Sequence, residues 1–365
     1  MEVTIDEHTS KVTPAEEFDD ECIVSDTAQR RKRRAICLVI FFIAMIGIVI
    51  GIVVRPRAAS SGGVSSATGT DNQGNDNAPQ RSPFAPQSAS QQNTQTIFCV
   101  IADTPYNADQ RIEMKGQLNN IAPDCEFLVH LGDIKPGNTS CVEYVYSDAR
   151  SLLLRSHAPT FIIVGDNEFN DCPYYQIQSG MGYWNKHLLY LENEWNHGFT
   201  IVRHNSRPEN FYFIHKRTLF LFLNIVGGRV IDDWDERHAD LVDFTIEAIS
   251  RRVPRRANGI VIMAHAHPYA KHDTFFDPVT RFIDQSSFLN NIPILYIHGD
   301  GHAWERVEGY RGLNNMLRIQ TYGGTGEMPL KMIVDPYNKG MDLSATFLYD
   351  RNYDDSDAWS YGNIN

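Results

Sequence analysis

Positive charge is what this chain is short of: 33 Lys and Arg stand against 45 Asp and Glu, a formal net charge of -12 over 365 residues. A balance that acidic excludes a general nucleic-acid binder. Cysteine is sparse, six residues in all, and no nucleophile elbow occurs, which leaves serine or cysteine hydrolase chemistry without its characteristic turn. Long apolar runs are missing with one exception, Ala35 to Val54, which carries no charge. With 42% hydrophobic residues, the remainder still has material for one sizeable domain.

The exception is about twenty residues long, the length a helix needs to span hydrocarbon, and no polar face interrupts it as one would in a soluble helix. It is too long and too deep in the chain for a signal-peptide core, and no small-residue cleavage site follows. The basic block Arg30-Arg31-Lys32-Arg33-Arg34 precedes the run and only Arg55 and Arg57 follow. That asymmetry predicts a single-pass membrane protein with residues 1–34 in the cytosol and the C-terminal part lumenal or extracellular; the block also suits anionic lipid. Residues 55–96 are rich in Ser, Gly, Gln, Asn and Pro, a flexible stalk by composition. A folded domain is expected over 97–350 and a surface tail over 351–365.

Cys22 and Cys37 lie before or within the span, which leaves Cys99, Cys125, Cys141 and Cys172 on the oxidising side. Four cysteines permit three pairings. Cys141 with Cys172 is favoured, because each follows a strand end by a short loop, whereas Cys99 sits in an apolar strand and reads as a core thiol. Asn138-Thr139-Ser140 is a glycosylation acceptor on that topology.

The domain repeats one phrase, an apolar run that ends abruptly in an acid: Ile97 to Asp103, Phe127 to Gly132-Asp133, Phe161 to Gly165-Asp166, and Ile294 to Gly299-Asp300. A fifth run, Gly259 to Ala264, ends in His265. Each reads as a buried strand, and open α/β sheets gather ligands at the carboxyl ends of such strands. Helical stretches at 108–120 and 141–156 complete a β-α-β-α-β pattern of parallel strands. Residues 174–205 read as an aromatic loop region, 210–215 and 218–224 as a β-hairpin of a second sheet, and 235–252 as an amphipathic helix. Residues 315–321 and 343–349 read as closing strands. His130, inside a strand, has the plain role of a satisfied core histidine.

Asp103, Gly132-Asp133, Gly165-Asp166-Asn167-Glu168, His265 and Gly299-Asp300-Gly301-His302, in this order, resemble the calcineurin-like metallophosphoesterases. The resemblance implies a four-layer α-β-β-α sandwich, α/β (α+β) in class. It further implies two metal ions (Fe, Mn or Zn, with Mg as a further option), Asp133 bridging them. Asp103 and His302 would serve one ion, and Asp166, His265 and Asp300 the other. The implied reaction is hydrolysis of a phosphomonoester or phosphodiester by in-line attack of a metal-bound hydroxide. Four positions depart from the pattern. Pro105 replaces a His in the first motif, Asp166 an Asn and Asn167 a His in the third, and Asp300 a His in the last. The site becomes richer in oxygen and suits harder cations. It also loses the proton donor to the leaving group: Asn167 can hydrogen-bond a phosphate oxygen but has no proton to give, which makes His267, His298 and His215 the candidates for that task. The rival expectation is a catalytically silent ectodomain used for binding or adhesion. The loops 171–205 and 270–282 are expected to line the cleft.

Overall fold

In a computed structural model, residues 94–327, 329–338 and 342–351 are described. The expected cytosolic tail, apolar span, most of the stalk and the C-terminal tail lie outside them. Among the described residues no helix is long and apolar enough to cross a membrane.

Strand β1 (Thr96–Ile101) shows how the architecture follows from a period of two. Phe98 and Val100 join one buried cluster, and Cys99 and Ile101 join another. A strand buried on both faces reads as a continuous apolar run, which is why the phrase repeats without polar interruption. Strands β2 (Phe127–His130) and β3 (Thr160–Ile162) continue the sheet in parallel with β1. Their crossovers are helices α1 (Ala108–Asn119) and α2 (Glu143–Leu153).

The second sheet holds β4 (Val202–Arg203), the hairpin β5 (Phe211–His215) and β6 (Thr218–Phe222), and then β7 (Gly259–Met263) and β8 (Ile294–His298). It is completed by β9 (Glu305–Glu308) and β10 (Met316–Gln320). Strands β6, β7, β8 and β10 run parallel, with order β4-β5-β6-β7-β8-β10-β9 across the sheet. Phe220 and Phe222 face the first sheet while Leu219 and Leu221 face the helices outside. Phenylalanines fill the layer between the sheets: Phe98 stacks on Phe127 at 5.1 Å, and Phe127 meets Phe220 edge-on at 5.4 Å. Such pairs add to the stabilisation from burial alone.

Helix α3 (Ile177–His187) packs beside the first sheet, and α4 (Trp234–Arg252) and α5 (Asp273–Gln285) beside the second. Acids open α4 and arginines close it, matching its macrodipole. Two sheets between outer helices fit the metallophosphoesterase sandwich that the resemblance implies.

Several expectations are corrected. The region 174–205 is not a loop: α3 occupies its centre and buries Ile177, Gly180 and Trp184 on one face. Residues 343–349 begin as a helical turn and become β12 (Phe347–Asp350) only at Phe347. The strand reading missed β11 (Leu330–Val334), which pairs antiparallel with both β1 and β12. Cys99 is not a free core thiol but is bonded to Cys125, whereas Cys141 is bonded to Cys172, the pairing favoured from the sequence.

Candidate metal centre

Parallel order puts the ends of β1, β2 and β3 along one edge of the first sheet, and the ends of β7 and β8 along the facing edge of the second. The chain turns sharply there. Asp103, Asp133, Asp300 and His302 all have positive φ, at 56°, 64°, 69° and 55°. A non-glycine residue in this region costs on the order of 1 kcal/mol, and four in one crevice mark a place where function outweighs relaxation.

Buried hydrogen bonds hold the turns. Glu168, fully buried, accepts from the N–H groups of Gly165 (2.6 Å), Asp133 (3.2 Å) and Ile134 (3.2 Å), tying the β2 and β3 ends together. The Asp300 N–H donates to Asp103 at 3.2 and 3.3 Å, which joins the two sheets. Backbones pack so closely that a Cβ at Gly165 would collide with Asp133, and one at Gly227 would lie 2.6 Å from Asp166 and 2.7 Å from Asp300. Gly227 is a site residue that strand-end reading missed, because it contributes only the absence of a side chain.

Two ligand-like groups result. Asp103, Asp133 and His265 can place one donor atom each within 4.8 Å of one another, and so can Asp166, His265 and Asp300. His265 belongs to both. Its Nε2 lies 3.3 Å from Asp133 Oδ1 and 3.3 Å from Asp166 Oδ1, buried and without a hydrogen bond. Its Nδ1 donates to the Leu131 carbonyl at 2.8 Å, so Nε2 is the nitrogen that faces the carboxylates, and it can offer a lone pair there once its proton has left. An orphaned imidazole nitrogen between two acids is what a cation would satisfy, and the oxygen–nitrogen donor set fits one. His302 is in neither group; its Nε2 stands 3.2 Å from Asp103 Oδ1 on the open side.

Protonation is displaced throughout. Burial drives Asp133 well above the ordinary carboxylate range despite His265 beside it, and burial also raises Asp300. Burial acts the same way on Asp166, but the His265 contact outweighs it and draws the group down to about 2. His265 is pushed down by burial and more strongly up by Asp133 and Asp166, ending well above an ordinary histidine. The hydrogen bond to Asp103 raises His302. Acids and an imidazole this close and this buried share protons, which limits the charge of the crevice.

Of the other candidates, Asn167 is at the centre. Its N–H donates to Asp133 Oδ1 at 2.9 Å, and its side-chain amide donates to Asp133 Oδ2 and, at 3.2 Å, to the Tyr106 hydroxyl. His298 is committed elsewhere: Nδ1 donates to the Gly299 carbonyl at 2.8 Å, and Nε2 accepts from Arg318 at 3.3 Å. His267 Nε2 also accepts from Arg318, at 3.1 Å, and the residue reaches the centre through its backbone N–H, 3.0 Å from Asp300 Oδ2. Burial, reinforced by Arg318, lowers both imidazoles, so both are neutral. His215 pairs with Glu126 at 2.7 Å, at the opposite end of the strands. His130 is buried against the Thr104 carbonyl at 2.8 Å. Asn138 is exposed.

Tyr106, three residues past Asp103, was not expected here. Its hydroxyl donates to Asp133 Oδ2 at 2.9 Å, and it lies 3.3 Å from His302 Nε2 and 3.5 Å from Asp103 Oδ1. Burial and then the surrounding carboxylates push the phenol far upward, which favours its protonated form. Tyr106 also walls a cavity of about 430 Å³ with Pro105, Ile134, Val142 and Tyr144. Ile177, Met181, Arg207 and Arg237 line a further cavity of about 590 Å³, to which none of the acids or histidines of the centre contributes. The segment 171–205 lines that cavity through α3, and 270–282 belongs mostly to α5.

No family model and no curated protein matches this chain. Among solved structures it is similar to GAP50, the anchor in the inner membrane complex of Plasmodium, with 13% identity over 71% of this chain and 89% of that one and a TM-score of 0.41. It is also similar to the purple acid phosphatase PPD1 from yellow lupin seeds, with 13% identity, 72% and 52% coverage and a TM-score of 0.45. The NAD nucleotidase of Haemophilus influenzae has 12% identity, 70% and 49% coverage and a TM-score of 0.37. The chain therefore spans about half the length of the last two, and what it does has to be argued from the centre itself.

Proposed function

We propose that this protein is a metal-dependent phosphoric ester hydrolase, anchored in a membrane by residues 35–54 with the folded domain on the lumenal or extracellular side. One observation carries the catalytic part: acids from four strand ends on two sheets meet around a buried histidine whose Nε2 has no hydrogen-bond partner. Four clustered carboxylates repel one another, and the chain accepts that cost together with strained turns. Two cations, when bound, would supply Lewis-acid activation of the ester and of a water. Asp103 and Asp133 would hold one ion and Asp166 and Asp300 the other, with His265 within reach of both groups. The donor set suits Fe, Mn or Zn.

The chain's own groups narrow the chemistry further. Asn167 spends its backbone and side-chain N–H groups on Asp133 and Tyr106, and an amide has no proton to give a leaving group, so its part is to position those two residues. His267 and His298 are held neutral by burial and Arg318, and neither offers a proton to a departing alkoxide. Esters with good leaving groups, such as aryl phosphates, should therefore turn over far better than alkyl ones. The membrane reading draws support from composition and from two disulfides, Cys99 to Cys125 and Cys141 to Cys172, which suit an oxidising compartment.

The test is metal content and aryl phosphate hydrolysis of the full-length protein, wild type against Asp133→Asn. Stoichiometric metal without turnover in the wild type would favour the silent ectodomain, and turnover indifferent to the substitution would end the hydrolase reading.

A further inference from the structure

We propose that Tyr106 is a ligand of the cation in the open half of the centre, filling the corner left by the histidine that Pro105 replaces. The inference rests on the dimetal reading and concerns which atoms complete it. Ligand atoms sharing one cation, with bonds of about 2.0–2.2 Å, stand roughly 3–3.5 Å apart. The Tyr106 oxygen keeps that spacing to three others at once: 2.9 Å to Asp133 Oδ2, 3.3 Å to His302 Nε2 and 3.5 Å to Asp103 Oδ1. His302 and Asp103 are themselves 3.2 Å apart. Because His302 belongs to neither carboxylate–histidine group, the phenol oxygen is the atom that links it to Asp133.

Hydrogen bonding alone does not account for this crowding. A phenol has one proton, and here it serves Asp133 while the oxygen accepts from Asn167. Asp103 Oδ1 at 3.5 Å and His302 Nε2 at 3.3 Å stand round the same oxygen, and one phenol proton cannot serve all three neighbours at once. A cation would satisfy them together. The residue is also held in place: the Tyr106 N–H donates to Gln110 at 2.7 Å, and the next residue, Asn107, caps α1 by accepting from the Gln110 N–H at 2.9 Å. The ring leans on the His302 imidazole with centroids 5.5 Å apart. On coordination the O–H bond breaks, an oxygen lone pair forms the bond to the cation, and the proton leaves to solvent; nothing is oxidised or reduced.

The experiment is titration of the full-length protein with Zn²⁺ alone, following metal per chain, proton release and the ultraviolet difference band of tyrosinate. Wild type should develop the band as the more weakly held of two equivalents binds. Tyr106→Phe should lack it and bind that equivalent about 10- to 100-fold more weakly, the range seen when even indirect supporters of a metal are lost. Tyr106→His should keep the affinity without the band. Two equivalents bound by wild type with no band, or unchanged affinity in Tyr106→Phe, overturns the ligand and leaves the dimetal centre standing. No metal uptake at all ends both.

Discussion

The two halves of the crevice are built differently. Asp166, His265 and Asp300 form a closed half, with His265 completely buried, His267 N–H behind Asp300 and the Leu131 carbonyl behind His265. The half around Asp103 is open, since half of the His302 side chain is exposed and a tyrosine stands among the acids. The closed half comes from strand ends of both sheets and is supported from behind by backbone groups. The open half depends on the turns that follow β1 and β8. A rigid scaffold can place a ligand within a fraction of an ångström, whereas a turn leaves room for a neighbour to replace a missing donor.

The sharpest way to break this contrast is at Asp133, whose Oδ1 lies 3.3 Å from His265 and whose Oδ2 takes the Tyr106 hydroxyl proton. Asp133→Asn should lower aryl phosphate turnover on the order of 10³-fold, the equivalent of several kcal/mol of lost charge stabilisation, and should reduce metal per chain at both positions. Next, His265→Ala and His302→Ala should separate the halves. The first should release both ions, the second only the open one, at a cost of about 10- to 100-fold in its affinity; equal losses in metal titrations of the two variants would abolish the distinction. Removal by chelator should follow the same order, with one equivalent leaving while the buried one remains, as read by metal content over time.

The smallest effect is a pH dependence. In the ion-free protein Asp133 and Asp300 are raised by burial, and His265 is raised by its acids. Raised groups contribute stability while protonated: for the two acids it fades as pH climbs from about 4 through their folded values, and for His265 from about 6.5 upward. Asp166, at about 2, has the opposite sign, contributing above about pH 4 and failing as pH falls through about 2. Cations replace the protons, so the metal-induced stabilisation, read as a rise in Tm at fixed metal concentration, should grow from about pH 4 towards neutrality, approaching about 2.7 kcal/mol where the metal stands at 100 times Kd. A rise that stays flat with pH would place the bound ion outside the crevice.

How much of this was legible residue by residue depends on range. The runs ending at Asp103, Asp133, Asp166 and Asp300 announce themselves locally, because a strand buried on both faces has no reason to end in a carboxylate unless its end is a site. Strand β11 does not, since Leu330 to Val334 is short and its partner β1 lies more than two hundred residues earlier. Cys99 looked like a core residue because it is one, fully buried as well as bonded to Cys125. Helix α3 was hidden by Gly180 and Gly182, although Gly180 earns its place by lying 2.9 Å, from where its Cβ would be, against Cys172 and Tyr146. The fate of His267 and His298 turned on Arg318, a residue with no motif of its own.

Local chemistry thus decided which segments become strands, where each stops and that acids crowd the stopping points, because burial and chain reversal act over a few residues. Which sheet each strand joins, that His265 serves two groups, that Arg318 occupies both spare histidines and that Tyr106 enters the open corner are consequences of packing. Those contacts join residues far apart in the chain, and only the assembled sandwich brings them within a bond's reach.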